Sequence, residues 1–87
     1  MKNTATFVLY GHVYCHLCDD MAAALVALLH EIGNGRAFAV DVIDVDEDPD
    51  LEERFGERVP VLVADGRELC HYFLDHVAVR AYLAEIR

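Results

Sequence analysis

Apolar and polar positions change period several times along this chain. Residues 4–10, Thr-Ala-Thr-Phe-Val-Leu-Tyr, are rich in β-branched and aromatic side chains and stop at Gly11, which predicts a strand. Its apolar half, Phe7 to Tyr10, is continuous rather than alternating, as in a strand covered on both faces. After a loop, Cys18, Met21, Ala22, Leu25, Leu29 and Ile32 recur at the spacing of a buried helix face. Ala23, Ala24, Val26, Ala27 and Leu28 make the other faces apolar too, predicting a helix well covered all round. Gly33-Asn34-Gly35 ends it and offers a left-handed cap.

Ala37 to Val45 predicts a second strand, its apolar residues interrupted by aspartates. Asp48-Pro49 starts a short helix, with a side-chain acceptor at the cap and a proline where no N–H is needed. The acidic first turn suits the positive helix end, and the helix stops at Gly56. Val59 to Ala64 is a third strand with its proline near the start. Asp65-Gly66 is a two-residue hairpin signal of type I′, and Glu68 to Phe73 is the antiparallel partner. Asp75 caps a last helix whose inner face is Val79, Tyr82, Leu83 and Ile86. The order β-α-β-α-β-β-α is that of an α/β protein. Each of the first two crossovers contains a helix and implies parallel pairing. One mixed four-stranded sheet, flanked by helices on both faces, accommodates every element.

Length and composition narrow the picture. The 87 residues, 55% hydrophobic, suit a single domain over 1–87 and argue against disorder. No apolar run is longer than Met21–Leu29, far below the ~20 residues that span a bilayer. Met1-Lys2-Asn3-Thr4 and the short Phe7–Tyr10 stretch do not form a secretion signal, so a cytoplasmic location is expected. A monomer is expected as well. A formal charge of −9 argues against nucleic acid and anionic membranes as partners. Nearly all of that charge lies between Asp41 and Glu57, where nine acids accompany Arg54 alone. Such a flank either caps and solvates a helix or steers basic partners in and anions away.

The sharpest chemistry is Cys15-His16-Leu17-Cys18, placed between the first strand and the first helix. A thiol at a helix N-terminus meets unpaired N–H groups and the positive end of the dipole, which favour the reactive thiolate. Cys15 falls at the helix start and exposed; Cys18 lies one turn in, on the buried face. An exposed thiolate can attack a disulfide and a shielded partner can resolve the product. A protonated His16 would stabilise the Cys15 thiolate further. Two other classes stay open. His12, Cys15, His16 and Cys18 offer nitrogen and sulfur ligands to a metal or iron–sulfur cluster, though no second CxxC completes a site. Alternatively the domain only binds a partner, without redox turnover. Cys70, in the fourth strand, reads first as a small buried hydrophobe. His12 and His71 read as satisfied or exposed, and His30 and His76 carry no chemistry.

Strand, CxxC, helix, strand and a Val59-Pro60 hairpin together resemble the thioredoxin fold, and specifically a small glutaredoxin-like protein, over residues 5 to 86. The resemblance rests on Tyr14 to Met21, on Ile43-Asp44-Val45-Asp46 and on Arg58-Val59-Pro60-Val61-Leu62. It implies a thiol–disulfide oxidoreductase with Cys15 as nucleophile and Cys18 as resolving thiol. It also implies a cis Pro60 facing the dithiol, and a Val59 backbone that pairs with an extended substrate or glutathione. Tyr14, His16, Leu17, Arg58, Val59 and Pro60 are then the substrate-binding residues. No bound cofactor or metal is expected. Substrates would be protein or low-molecular-weight disulfides, with electrons from a thioredoxin reductase or from glutathione as reductant or co-substrate. Three positions depart from the glutaredoxin pattern: His12 for a basic residue, Arg58 for threonine, and Tyr72-Phe73 for a glycine pair. Each removes a contact to glutathione, and Arg58 offers its own charge to a carboxylate instead.

Overall fold

The structure, a computed structural model, describes residues 5–33 and 37–86. Its elements run β1 (Ala5–Gly11), α1 (His16–Ile32), β2 (Phe38–Asp44), a 3₁₀ turn (Val45–Glu47), α2 (Pro49–Phe55), β3 (Val61–Ala64), β4 (Arg67–His71) and α3 (His76–Glu85). Apart from the 3₁₀ turn, this is the order expected from the sequence. The sheet order is β2-β1-β3-β4. β1 pairs parallel with β2 and antiparallel with β3, and β3 pairs antiparallel with β4.

The alternation of β1 and β3 divides the core in two. Ala5, Phe7 and Leu9, with Leu62 and Ala64, pack against α1 (Met21, Leu25, Leu28, Leu29) and α3 (Val79, Tyr82, Leu83). Tyr10, Val61 and Val63 meet Val45, Leu51 and Phe55 on the opposite face. Both faces carry helix, but unequally: Phe7 and Leu9 are closed off while Val8 and Tyr10, under the short α2, stay half-buried. Burying a Leu or Phe side chain fully is worth ~1.5–3 kcal/mol, so the α1–α3 face carries most of the hydrophobic stabilisation.

Three local expectations are corrected. Helix α1 is not covered all round: Ala23 and Ala27 are exposed and Val26 is 39% exposed. Alanine is the best helix former and has little apolar area to hide, so that run builds the helix without demanding cover. Gly33 closes α1 with φ −72°, in the right-handed region, its N–H donating to the Leu29 carbonyl at 2.8 Å. The left-handed cap is therefore not at Gly33, and Asn34 and Gly35 lie outside the described residues. Finally, β4 ends at His71, not Phe73, because Tyr72 takes φ +65° and turns the chain toward α3.

The turns and caps follow the residue chemistry. Asp65 and Gly66 both have positive φ, 52° and 75°, as a type I′ hairpin requires. Leu69 is an extra residue on β4, where the register shifts at Leu62/Val63. Asp44, Asp48 and Asp75 cap the 3₁₀ turn, α2 and α3, accepting from the N–H groups of Asp46, Asp50 and Ala78. Much of the acidic flank is thus cap and first-turn charge, each cap worth ~0.5–2 kcal/mol. Among the described residues, no helix is long and apolar enough to cross a membrane.

Candidate active site

The two cysteines of the motif form a disulfide at the start of α1, with Cα atoms 5.2 Å apart. Tyr14 stands just before them with φ +59° and a side chain 98% exposed. Its left-handed backbone bends the loop so that Cys15, extended at φ −105°, becomes the N-cap. The Cys15 sulfur accepts the Cys18 N–H at 3.2 Å, as a Ser or Asp side chain would at this position. A sulfur that already takes a helix N-terminal N–H is placed to keep that bond as a thiolate, when it is stronger. Cys15 is half-buried and Cys18 only 6% exposed, so Cys15 is the more accessible of the two. His16 and Leu17 are exposed on the first turn.

The buried sulfur rests against the end of the central strand. A Cβ on Gly11 would lie 2.9 Å from the Cys18 sulfur and 3.2 Å from its Cβ. The pairing of Tyr10 with Val61 brings Pro60, at the head of β3, to this same end of the sheet. The Val59–Pro60 bond is cis, and Pro60 is buried.

The Pro60 loop is fastened by Tyr72. The Tyr72 N–H donates to the Pro60 carbonyl at 2.9 Å, and its hydroxyl donates to the Glu57 carbonyl at 2.8 Å. A tyrosine at φ +65° costs of order 1–3 kcal/mol of backbone strain, and these two bonds help hold it there. Val59 packs half-buried against Val45, Phe55 and Val61. Its own N–H and C=O are not spent on the bonds that fasten this loop.

The charged candidates look inward to the protein's own groups. Arg58 pairs with Glu68, donates to the Arg54 carbonyl at 2.8 Å and lies 5.8 Å from the Phe55 ring centroid. A substrate carboxylate must compete with Glu68 for it. Burial works to raise the Glu68 pKa, but hydrogen bonds from Arg58 and His71 hold that carboxyl below its ordinary range. His12 places Nδ1 2.9 Å from Asp46 and Nε2 3.3 Å from the Gly56 carbonyl. Both partners are acceptors, and only the imidazolium can donate to both. Desolvation opposes that charge, but the bonds to Asp46 and Gly56, with the charges of Asp46 and Glu52, outweigh it and raise the His12 pKa. Among the described residues, the possible ligand atoms that lie close together are those of His12, Asp44 and Asp46, a group that includes neither cysteine. Cys70 is a free, half-buried thiol whose pKa is raised chiefly by desolvation.

Three contributors to this site were not anticipated: Gly11 as the surface against Cys18, Tyr72 as the fastening of the Pro60 loop, and His12 as the tie to the acidic flank. Tyr72 and His12 left a mark in the sequence as departures from the glutaredoxin pattern, though neither departure named its partner; Gly11 left none.

Comparison with known proteins gives a consistent result. A family described as "Glutaredoxin-like domain (DUF836)" matches residues 6–84. An uncharacterised protein of Mycobacterium tuberculosis is 36% identical over 75 residues, covering 80% of this chain and 73% of its own. A solution structure of a protein from Nitrosomonas europaea is 40% identical with TM-score 0.78, over 90% of this chain and 89% of that one. Chloroplastic thioredoxin z is 25% identical with TM-score 0.64, over 97% of this chain and 79% of that one.

Proposed function

The chain belongs to the glutaredoxin-like domain family, and we propose that within it this protein is a thiol–disulfide oxidoreductase. The observation that carries the reading is the Cys15–Cys18 disulfide at the start of α1, with the more accessible sulfur in the N-cap position. In the reduced protein the Cys15 thiolate attacks one sulfur of a substrate disulfide. A Cys15–substrate bond forms as the substrate S–S bond breaks, and the departing sulfur takes a proton. Cys18 then loses its proton and attacks the Cys15 sulfur, releasing the second substrate thiol and restoring the Cys15–Cys18 disulfide. Two electrons pass from the dithiol to the substrate, and an external thiol or dithiol returns them.

The protein's groups divide the work. The N–H of Cys18 and the helix end hold charge on Cys15. Gly11 leaves room for the Cys18 sulfur. Val59 offers backbone to an extended chain beside the dithiol. A protein disulfide suits this surface better than glutathione, because Arg58 is committed to Glu68 and Tyr72 stands where close backbone approach needs glycine. The test is turnover of a small disulfide with electrons supplied either by a thioredoxin reductase or by glutathione. Turnover abolished by Cys15→Ser and faster with the reductase is the expected result; equal turnover in Cys15→Ser rejects the reading.

A further inference from the structure

Beside the dithiol lies an open apolar notch of about 180 Å³, between the first turns of α1 and the segment that links β4 to α3. Leu17 and Ala24 form one wall and Tyr72, Phe73 and Leu74 the other. Leu17 sits between the two cysteines in the chain, and the Tyr72 N–H is bonded to the Pro60 carbonyl, so one residue of each wall adjoins the site. Its volume is comparable to the ~150 Å³ at which an apolar cavity accepts a benzene ring. Among the described residues, five of the eight exposed large apolar side chains, Val13, Tyr14, Leu17, Tyr72 and Phe73, belong to the segment around the dithiol and the segment that links β4 to α3. Phe73 is 70% exposed. Single exposed apolar residues need no explanation, but a concentration around a reactive centre marks a contact surface. Among the described residues, Asp20 is the one charged residue lining the notch, and Asp19 beside it is exposed.

We propose that this notch is a side-chain pocket for protein disulfides, taking an apolar residue next to the substrate cysteine while a neighbouring lysine or arginine meets Asp20. The proposal rests on the oxidoreductase reading and adds to it the class of substrate. Apolar walls require an apolar occupant, since a polar one would lose its water without gaining partners. The acidic rim favours a cation beside it and disfavours glutathione, which carries net negative charge. A free tripeptide also has no large apolar side chain with which to fill the space.

The probes are disulfide-bonded peptides identical except at two positions beside one cysteine: Leu-Lys, Ser-Lys and Leu-Glu. The reduced protein is expected to react with Leu-Lys about tenfold faster, in kcat/KM, than with Ser-Lys, the scale of one buried aliphatic side chain. Ala24→Phe, which fills the notch, should bring that ratio close to one. Asp20→Lys should reverse the preference for Leu-Lys over Leu-Glu. A ratio near one in the wild type, or a tenfold ratio that survives Ala24→Phe, overturns the pocket. A small disulfide of no side-chain character, bis(2-hydroxyethyl) disulfide, separates the two readings. If it reacts and the peptides are not discriminated, only the pocket fails; if neither it nor any peptide reacts, the oxidoreductase reading fails with it.

Discussion

The α-carbon of Gly11 faces the sulfur of Cys18 so closely that a methyl group there would sit 2.9 Å from it. Gly11→Ala therefore has to displace either the last residue of the central strand or the buried half of the disulfide. Overpacking of this kind costs about 1–3 kcal/mol. Urea unfolding of the oxidised protein should show that loss, and an unchanged midpoint would mean the contact is looser than described.

His12 makes stability depend on pH. Its folded pKa is raised above the ordinary value by Asp46, Gly56 and Glu52 acting against desolvation. A raised pKa contributes stability that is complete below the unfolded value, about 6.5, and disappears as pH rises through the folded value. His12→Gln should thus cost more stability at about pH 5.5 than at about pH 8.5. The check is the difference in unfolding free energy between the two proteins at each pH; a cost that grows toward alkaline pH would contradict the assignment.

The β-α-β-α-β-β-α order was legible because each boundary has its own chemistry. Asp48-Pro49, Asp65-Gly66 and Asp75 each sit where local hydrogen bonding or positive φ requires them. The dithiol was legible too, since a CxxC at a strand-to-helix junction depends on neighbours in sequence. What escaped depends on partners far along the chain. His12 meets a carboxylate 34 residues away, and the Tyr72 hydroxyl meets a carbonyl 15 residues back. Arg58 shows the same limit. Its charge was read as available, yet Glu68 across the fold takes it. The apolar outer face of α1 misled for another reason, because alanine answers to helix propensity as much as to burial.

Tyr72 holds a conformation that suits glycine. Tyr72→Gly and Tyr72→Ala both lose the bond to the Glu57 carbonyl, but alanine keeps the strain of φ +65°. Glycine should therefore be the more stable replacement by about 1 kcal/mol, even after its larger unfolded-state entropy. Comparison of the two unfolding midpoints decides it, and an alanine variant at least as stable as the glycine one would show that position 72 is not strained.

The acidic flank bears on the choice of reductant. With a net charge of −9, the protein repels anionic glutathione, and added salt screens that repulsion. The second-order rate of reduction of the Cys15–Cys18 disulfide by glutathione should rise with ionic strength. A rate that is flat or falls with salt would show that the flank exerts no field at the dithiol.

In the proposed reaction Cys15 is the attacking thiol and Cys18 the resolving one. Reduced wild type, Cys15→Ser and Cys18→Ser are each mixed with bis(2-hydroxyethyl) disulfide and followed by intact mass and peptide mapping. Cys18→Ser should stop at a stable mixed disulfide on Cys15, while wild type goes on to the Cys15–Cys18 disulfide. Cys15→Ser should react about a hundredfold more slowly, because Cys18 is buried and burial raises the pKa of Cys70. An adduct that forms as fast on Cys18 or Cys70 as on Cys15 would contradict it.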